Sequence, residues 1–225
     1  MMTTTTTASG TGAPSSPAYL FPPIYSFAPF FTLQRNDQTL ASQLQLWTRF
    51  VVDYCAAKRL FVLDADAADG SSDGGEIFSN SAIGRGLDRA ARRKVLKHLV
   101  DEGRGAWVGI SGGGGSGGGS GYGSKVWGRG TTAADEAGGD RALVFWKRPD
   151  EWGEIIYQWV VATGQNRSIM TFFELTEGDL VQNTEFRGMP IPLLRLALAT
   201  LEKTGRAKVF EGSESGESMT GVKFA

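Results

Sequence analysis

Residue types that carry chemistry are scarce in this chain, and they do not combine into a reactive set. Cys55 is the only cysteine and His98 the only histidine in 225 residues. A nucleophilic thiol needs a neighbouring base, and a structural zinc site needs four Cys or His ligands. The two residues fall on different predicted helices, so neither site is expected, and an internal disulfide is impossible. Cys55 reads as a small core residue. The acidic stretch 64–76 is glycine-bearing like a calcium loop, but the spacing of its carboxylates to Glu76 fails the EF-hand pattern, and it is expected to be a solvated insertion. The glycine run within 111–123 spells G-x-G-x-x-G by composition alone and precedes no predicted helix, and the phosphate-loop pattern ending in G-K-[ST] is absent. No H-E-x-x-H, G-x-S-x-G or paired-carboxylate motif appears with supporting context. Glu151, Glu154 and Glu174 are explained as charges at helix starts. The expectation is a protein with no catalytic residues, no metal and no cofactor.

Binding chemistry is concentrated instead at 19–34, Tyr-Leu-Phe-Pro-Pro-Ile-Tyr-Ser-Phe-Ala-Pro-Phe-Phe-Thr-Leu-Gln, and no charged residue precedes Arg35. Prolines forbid a regular helix and deny donors to a sheet. Burying Phe21, Tyr25, Phe27, Phe30 and Phe31 yields about 10 kcal/mol, whereas ordering about a dozen residues costs about 12 kcal/mol. Pro22, Pro23 and Pro29 reduce that cost by pre-setting φ. The arm is therefore expected to dock in pockets of another protein, through Phe21, Pro22, Pro23, Tyr25, Pro29, Phe30 and Phe31. Folding back on its own domain is the plainer alternative. Pro22-Pro23-Ile24-Tyr25 also spells P-P-x-Y, a ligand pattern for WW domains, and it recurs degenerately as Ala28-Pro29-Phe30-Phe31.

Composition allows one ordinary core or two small ones, with 41% hydrophobic residues and a formal charge of −1. That balance disfavours a protein built to neutralise phosphates. With no basic-then-apolar leader and no long apolar run, a cytosolic location is expected. Residues 1–18 read as a disordered leader and 19–35 as the arm. Asn36, Asp37 and Thr39 offer caps to a helix over about 39–60, with Leu40, Leu44, Trp47, Val51 and Cys55 inward. A short helix is expected near 77–84, then a firmer one from Asp88 to about 102, ended by Gly103 and Gly105. Strand-like 106–110 and 142–146 form a hairpin around a low-complexity insertion at 111–140. The order then repeats: a helix from Pro149 to Gly164, a short helix opened by the Thr171/Glu174 capping box, a helix over about 190–203, and a hairpin of 207–210 with 221–224. Helix, short helix, helix, hairpin, read twice, predicts an α+β chain of two tandem winged-helix domains, 36–148 and 149–225, joined with almost no linker.

Winged helices often lay their third helix on DNA. The helix from Asp88 carries Arg92, Arg93, Lys94 and Lys97, with Arg89 and Arg104 at its ends, whereas the equivalent helix of the second domain lacks such a stripe. A solvated cationic face is the plainer reading, and a DNA-binding regulator is the rival class.

The aromatic arm, the Trp47 helix, and above all Trp146-Lys-Arg-Pro-Asp-Glu-Trp-Gly-Glu-Ile-Ile-Tyr-Gln-Trp-Val160 with Gly164-Gln-Asn166 and Gly221-Val-Lys-Phe224 resemble the small-subunit family of the ESCRT-II endosomal sorting complex over about 21–224. The resemblance implies two winged-helix domains and a non-catalytic adaptor that occurs twice in a Y-shaped complex. It implies N-terminal P-P-x-[YF] motifs that enter pockets on two larger winged-helix subunits, a second domain that recruits an ESCRT-III subunit during multivesicular-body formation, no nucleic-acid partner, and a cytoplasmic protein brought to endosome membranes through the complex. The first motif falls on Pro22, Pro23 and Tyr25. The second falls on Ala28, Pro29 and Phe31, with Ala28 where the family has proline.

Overall fold

The computed structural model describes residues 19–69, 74–108, 140–210 and 220–225. The leader at 1–18 and nearly all of the 111–140 insertion lie outside the described residues.

Helices begin where capping groups sit three residues from the amides they satisfy. The Asn36 side chain accepts the Thr39 N–H at 3.1 Å and opens α1, Asp37–Lys58. Asp88 does the same for Ala91 at 2.7 Å and opens α2, Arg89–Asp101, after which Gly103 turns the chain at φ 69°. Pro149 occupies the first turn of α3, Pro149–Ala162, where Glu151 accepts the Arg148 N–H at 2.7 Å. Thr171 and Glu174 exchange capping bonds at α4, Phe172–Thr176, and Pro190 precedes α5, Ile191–Lys203. α3 and α5 cross closely at Gly153, where a Cβ would lie 2.6 Å from Thr200 Oγ1 and 2.9 Å from the Ala197 carbonyl oxygen.

Each lobe carries a three-stranded antiparallel sheet. The first is ordered β1 (Val62–Asp64), β5 (Arg141–Val144), β4 (Gly105–Trp107), with Leu63 opposite Ala142 and Ala106 opposite Leu143. The second is ordered β6 (Ile169–Thr171), β8 (Gly221–Phe224), β7 (Ala207–Phe210), with Met170 opposite Val222. Both expected hairpins are present. The third strand of each sheet, β1 and β6, is three residues long and shows no readable alternation.

The expected short helix near 77–84 is replaced by a 3-10 turn at Gly75–Ile77 and a small hairpin, β2 (Ser79–Asn80) with β3 (Arg85–Gly86). The Asn80 side chain accepts the Ala82 N–H at 3.0 Å and Gly84 adopts φ 59°, so local turn bonds displace a helix.

Two cores flank the first sheet. Ala142 and Val144 belong to the cluster built on α1 and α2, whereas Leu143 and Phe145 belong to the cluster built on α3 and α5. Trp107 packs on the first cluster, and Ala106 and Val108 on the second. Strand alternation therefore gives one sheet two buried faces. Phe61, Trp146 and Trp152 seal the junction, with Trp146 edge-on to Trp152 at 4.7 Å, and Lys147 lies against both indoles and pairs with Glu185.

The acidic stretch is not a solvated insertion over its described residues. Asp64 belongs to β1 and Ala65 is buried, Asp66 pairs with Arg89 at 2.5 Å, and Asp69 pairs with Arg92. Gly74, Gly75 and Ile77 are buried, and the Glu76 carboxylate accepts the Tyr54 hydroxyl. α2's cations hold this stretch in place, a pairing across the chain that local composition does not reveal.

Candidate protein-docking site

The arm is folded onto its own lobe. Its two proline-led segments make 3-10 turns, Pro23–Ser26 and Ala28–Phe31, each started by proline's fixed φ. Tyr25, Phe30 and Phe31 are buried at 8%, 3% and 4% exposure. Phe30 stacks on Trp47 at 4.1 Å with 9° between planes, and Phe21 stacks on Tyr25 at 4.1 Å.

What overturns the expectation of an arm without a core is hydrogen bonding. Gln43 Nε2 donates to the carbonyl oxygens of Phe30 and Thr32 at 3.0 and 3.1 Å, while its Oε1 accepts the Gln34 N–H at 3.1 Å. Trp47 Nε1 donates to the Phe30 carbonyl at 3.2 Å, and Asn80 Nδ2 to the Tyr25 carbonyl at 2.7 Å. The Tyr25 hydroxyl, with one proton to give, lies 2.6 Å from the carbonyl oxygens of both Glu76 and Ser79. Phe27 remains outside, which removes about 2 kcal/mol from the ring ledger, but six such bonds at about 1 kcal/mol each restore the balance. Gln43 and Asn80 carry no signal in the sequence because each acts across more than ten residues on a backbone carbonyl.

Of the residues expected to meet a partner, Tyr25, Phe30 and Phe31 face inward, Phe21 and Pro22 are half-buried, and Pro23 and Pro29 are exposed. Leu20, which was not expected to dock, and Phe27, counted among the rings to be buried but not in the set of docking residues, are exposed at 90% and 57%. The arm thus leaves Leu20, Pro23, Phe27 and Pro29 exposed while its other rings are held in the core. Burial, aided by the Glu76 charge, pushes the Tyr25 hydroxyl up to about 12. Burial also raises Tyr54, with its bond to Glu76 contributing.

No reactive constellation accompanies this surface among the described residues. Cys55 is fully buried and its thiol is pushed up by desolvation, while the His98 ring bonds through Nδ1 to Thr48 Oγ1 at 3.1 Å. Among the described residues no group of three or more His, Cys, Asp or Glu could hold a metal, and no helix is long and apolar enough to cross a membrane. Much of the basic stripe of α2 is paired with carboxylates of the same chain. Arg92 is buried and donates to the carbonyls of Leu87 and Ala67 at 2.9 and 2.8 Å besides pairing with Asp69, Arg89 and Arg93 both meet Asp140, and Lys97 pairs with Asp101 at 2.7 Å. Arg92 is thus withdrawn from solvent, whereas Lys94 is exposed and Arg89 and Lys97 keep side chains 57% and 42% exposed within their pairs, so the solvated face expected of this helix holds for part of the stripe.

Comparison with known proteins agrees with this architecture. The family model described as ESCRT-II complex subunit matches residues 24–190. Vacuolar protein-sorting-associated protein 25 of Xenopus laevis is 31% identical over 200 residues, 89% of this chain and 95% of the relative. The Arabidopsis thaliana protein of that name is 30% identical over 207 residues, 92% and 96% of the two chains. The crystal structure of subunit VPS25 of the endosomal trafficking complex ESCRT-II superposes with a TM-score of 0.69 at 25% identity, covering 91% of this chain and 98% of that one. A chain in the crystal structure of ESCRT-II, with VPS22, VPS25 and VPS36, superposes with a TM-score of 0.67 at 25% identity over 91% of this chain and 98% of that one. With two winged-helix lobes, an arm folded on the first, and a match that spans most of its length, this chain belongs to the ESCRT-II complex subunit family.

Proposed function

We propose that this chain is a non-catalytic adaptor subunit of an ESCRT-II complex in endosomal sorting to multivesicular bodies. Its first lobe docks on two larger winged-helix subunits through the arm, and its second lobe recruits an ESCRT-III subunit. It works in the cytoplasm and reaches endosome membranes through the complex. The observation that carries this reading is the arm's exposed apolar groups: Leu20 stands out at 90% exposure ahead of the first turn and Phe27 at 57% between the two turns, whose inner rings are packed on α1. Exposed apolar side chains on a rigid support lose little freedom when a partner covers them. Docking therefore does not require the arm to leave its own core.

The test is co-expression with the larger subunits, followed by native mass measurement. Pro23→Ala with Phe27→Ala is expected to remove this chain from the complex while leaving its melting temperature unchanged. Undiminished assembly of that double variant overturns the arm's role. Tyr25→Ala is unsuitable for this purpose, because it opens the core of the first lobe as well.

A further inference from the structure

The first sheet has an open edge on a cleft between the lobes. β1 stands at that edge, and its bonds to β5 run through alternate residues: Phe61 accepts the Val144 N–H at 2.9 Å, Leu63 lies opposite Ala142, and Ala65 donates to the Asp140 carbonyl oxygen at 2.7 Å. The N–H and C=O of Val62 and the N–H of Asp64 therefore point away from β5, and both residues line a cleft of about 620 Å³ that Gly188 and Pro190 of the second lobe also line. Such unpaired main-chain groups are a template for another strand. Arg59 and Arg141 line the same cleft, and its one carboxylate is Asp64, 3.6 Å from Arg141. The neighbouring Asp66 and Asp69 are taken up by Arg89 and Arg92. Arg59 adopts φ 55° where α1 ends. Glycine accepts that left-handed conformation without steric cost, and Gly103, Gly164 and Gly205 hold it past α2, α3 and α5. An arginine gives up local fit there, and among the described residues its guanidinium bonds only to the Thr184 carbonyl oxygen, at 3.5 Å, which leaves most of its donors open.

We infer that this cleft receives an extended acidic segment of a partner protein, which adds a short strand to β1 and sets carboxylates against Arg59 and Arg141. Main-chain bonds to Val62 and Asp64 hold such a strand, and its side chains decide which segment is accepted. Guanidinium groups bind carboxylates through paired N–H donors and repel a basic segment. A helix has its main-chain groups paired internally and offers nothing to this edge.

The experiment uses the full chain, because Phe61, Leu143 and Phe145 of the first lobe belong to the second core. The probes are an end-blocked peptide of alternating Val and Glu, its Val/Lys counterpart, and two forms of the Val/Glu peptide N-methylated at alternate residues, one in each phase. Expected are amide shifts at Val62, Asp64 and Gly188 with the Val/Glu peptide, none with Val/Lys, and roughly tenfold weaker binding of one methylated form, whose blocked amides are those that face β1. Arg59→Gly is expected to weaken Val/Glu binding by roughly tenfold while the melting temperature holds or rises, since glycine relieves the left-handed turn. Arg141→Gln is expected to weaken it in the same direction. Absent binding, shifts confined to other residues, equal binding of Val/Glu and Val/Lys, or undiminished binding of both methylated forms overturns strand addition in the cleft. Undiminished binding by Arg59→Gly overturns the selection of acidic segments by that arginine.

Discussion

Phe30→Ala separates an arm that belongs to the core from one that merely rests on it. The ring is 3% exposed and stacked on Trp47 at 4.1 Å, and its own carbonyl accepts from Gln43 and Trp47. Truncating a phenylalanine so enclosed costs about 3–5 kcal/mol, through lost transfer energy and the cavity left behind. For a domain of this size each kcal/mol moves the melting temperature by about 2–4 °C, so the expected fall is roughly 6–20 °C. Phe27→Ala is the internal control, since a ring 57% exposed removes little from the core, and its cost is expected within about 0.5 kcal/mol. Urea unfolding followed by far-UV circular dichroism reports the stability of each variant. The two variants are expected to behave oppositely in assembly as well, because Phe27→Ala spares the fold and weakens partner docking. Equal, small losses of stability for both refute the claim that the arm is part of the first core.

Arg92→Met is expected to cost about 2–3 kcal/mol, since it removes charge-assisted bonds to buried carbonyls, and to speed amide hydrogen exchange over 64–69; unchanged exchange there argues that α2 does not hold the acidic stretch. Alkaline pH is expected to loosen the arm. The folded state holds the Tyr25 proton more tightly than the unfolded chain, so the stability it contributes is complete below pH 10 and drains as pH rises toward about 12. Absorbance titration at 295 nm, with melts of the unaltered chain and Tyr25→Phe between pH 10 and 12, checks this; native titration of every tyrosine near 10, with parallel melts, contradicts it.

Signals that act within one turn are legible in the amino-acid sequence itself. The Asn36, Asp88 and Thr171 caps, the Thr171/Glu174 box, Pro149 and the glycines past α2 and α5 all work between residues a few positions apart, so the sequence alone specified where the major helices start and stop. The two hairpins followed from those same local rules, and so did the helix, short helix, helix order of the second lobe, whereas in the first lobe a 3-10 turn and the β2–β3 hairpin stand where the short helix was expected. Tertiary structure alone decided where the uncharged arm goes, because its destination depends on Gln43, Trp47 and Asn80 meeting carbonyls that lie 11–55 residues away along the chain. It also decided that the acidic stretch and the basic helix are partners, and that β5 serves two cores. Composition records how many charges and rings a chain carries; only packing determines which of them meet, since a contact's energy depends on distance in space and on exclusion of water, neither of which is written in neighbouring residues.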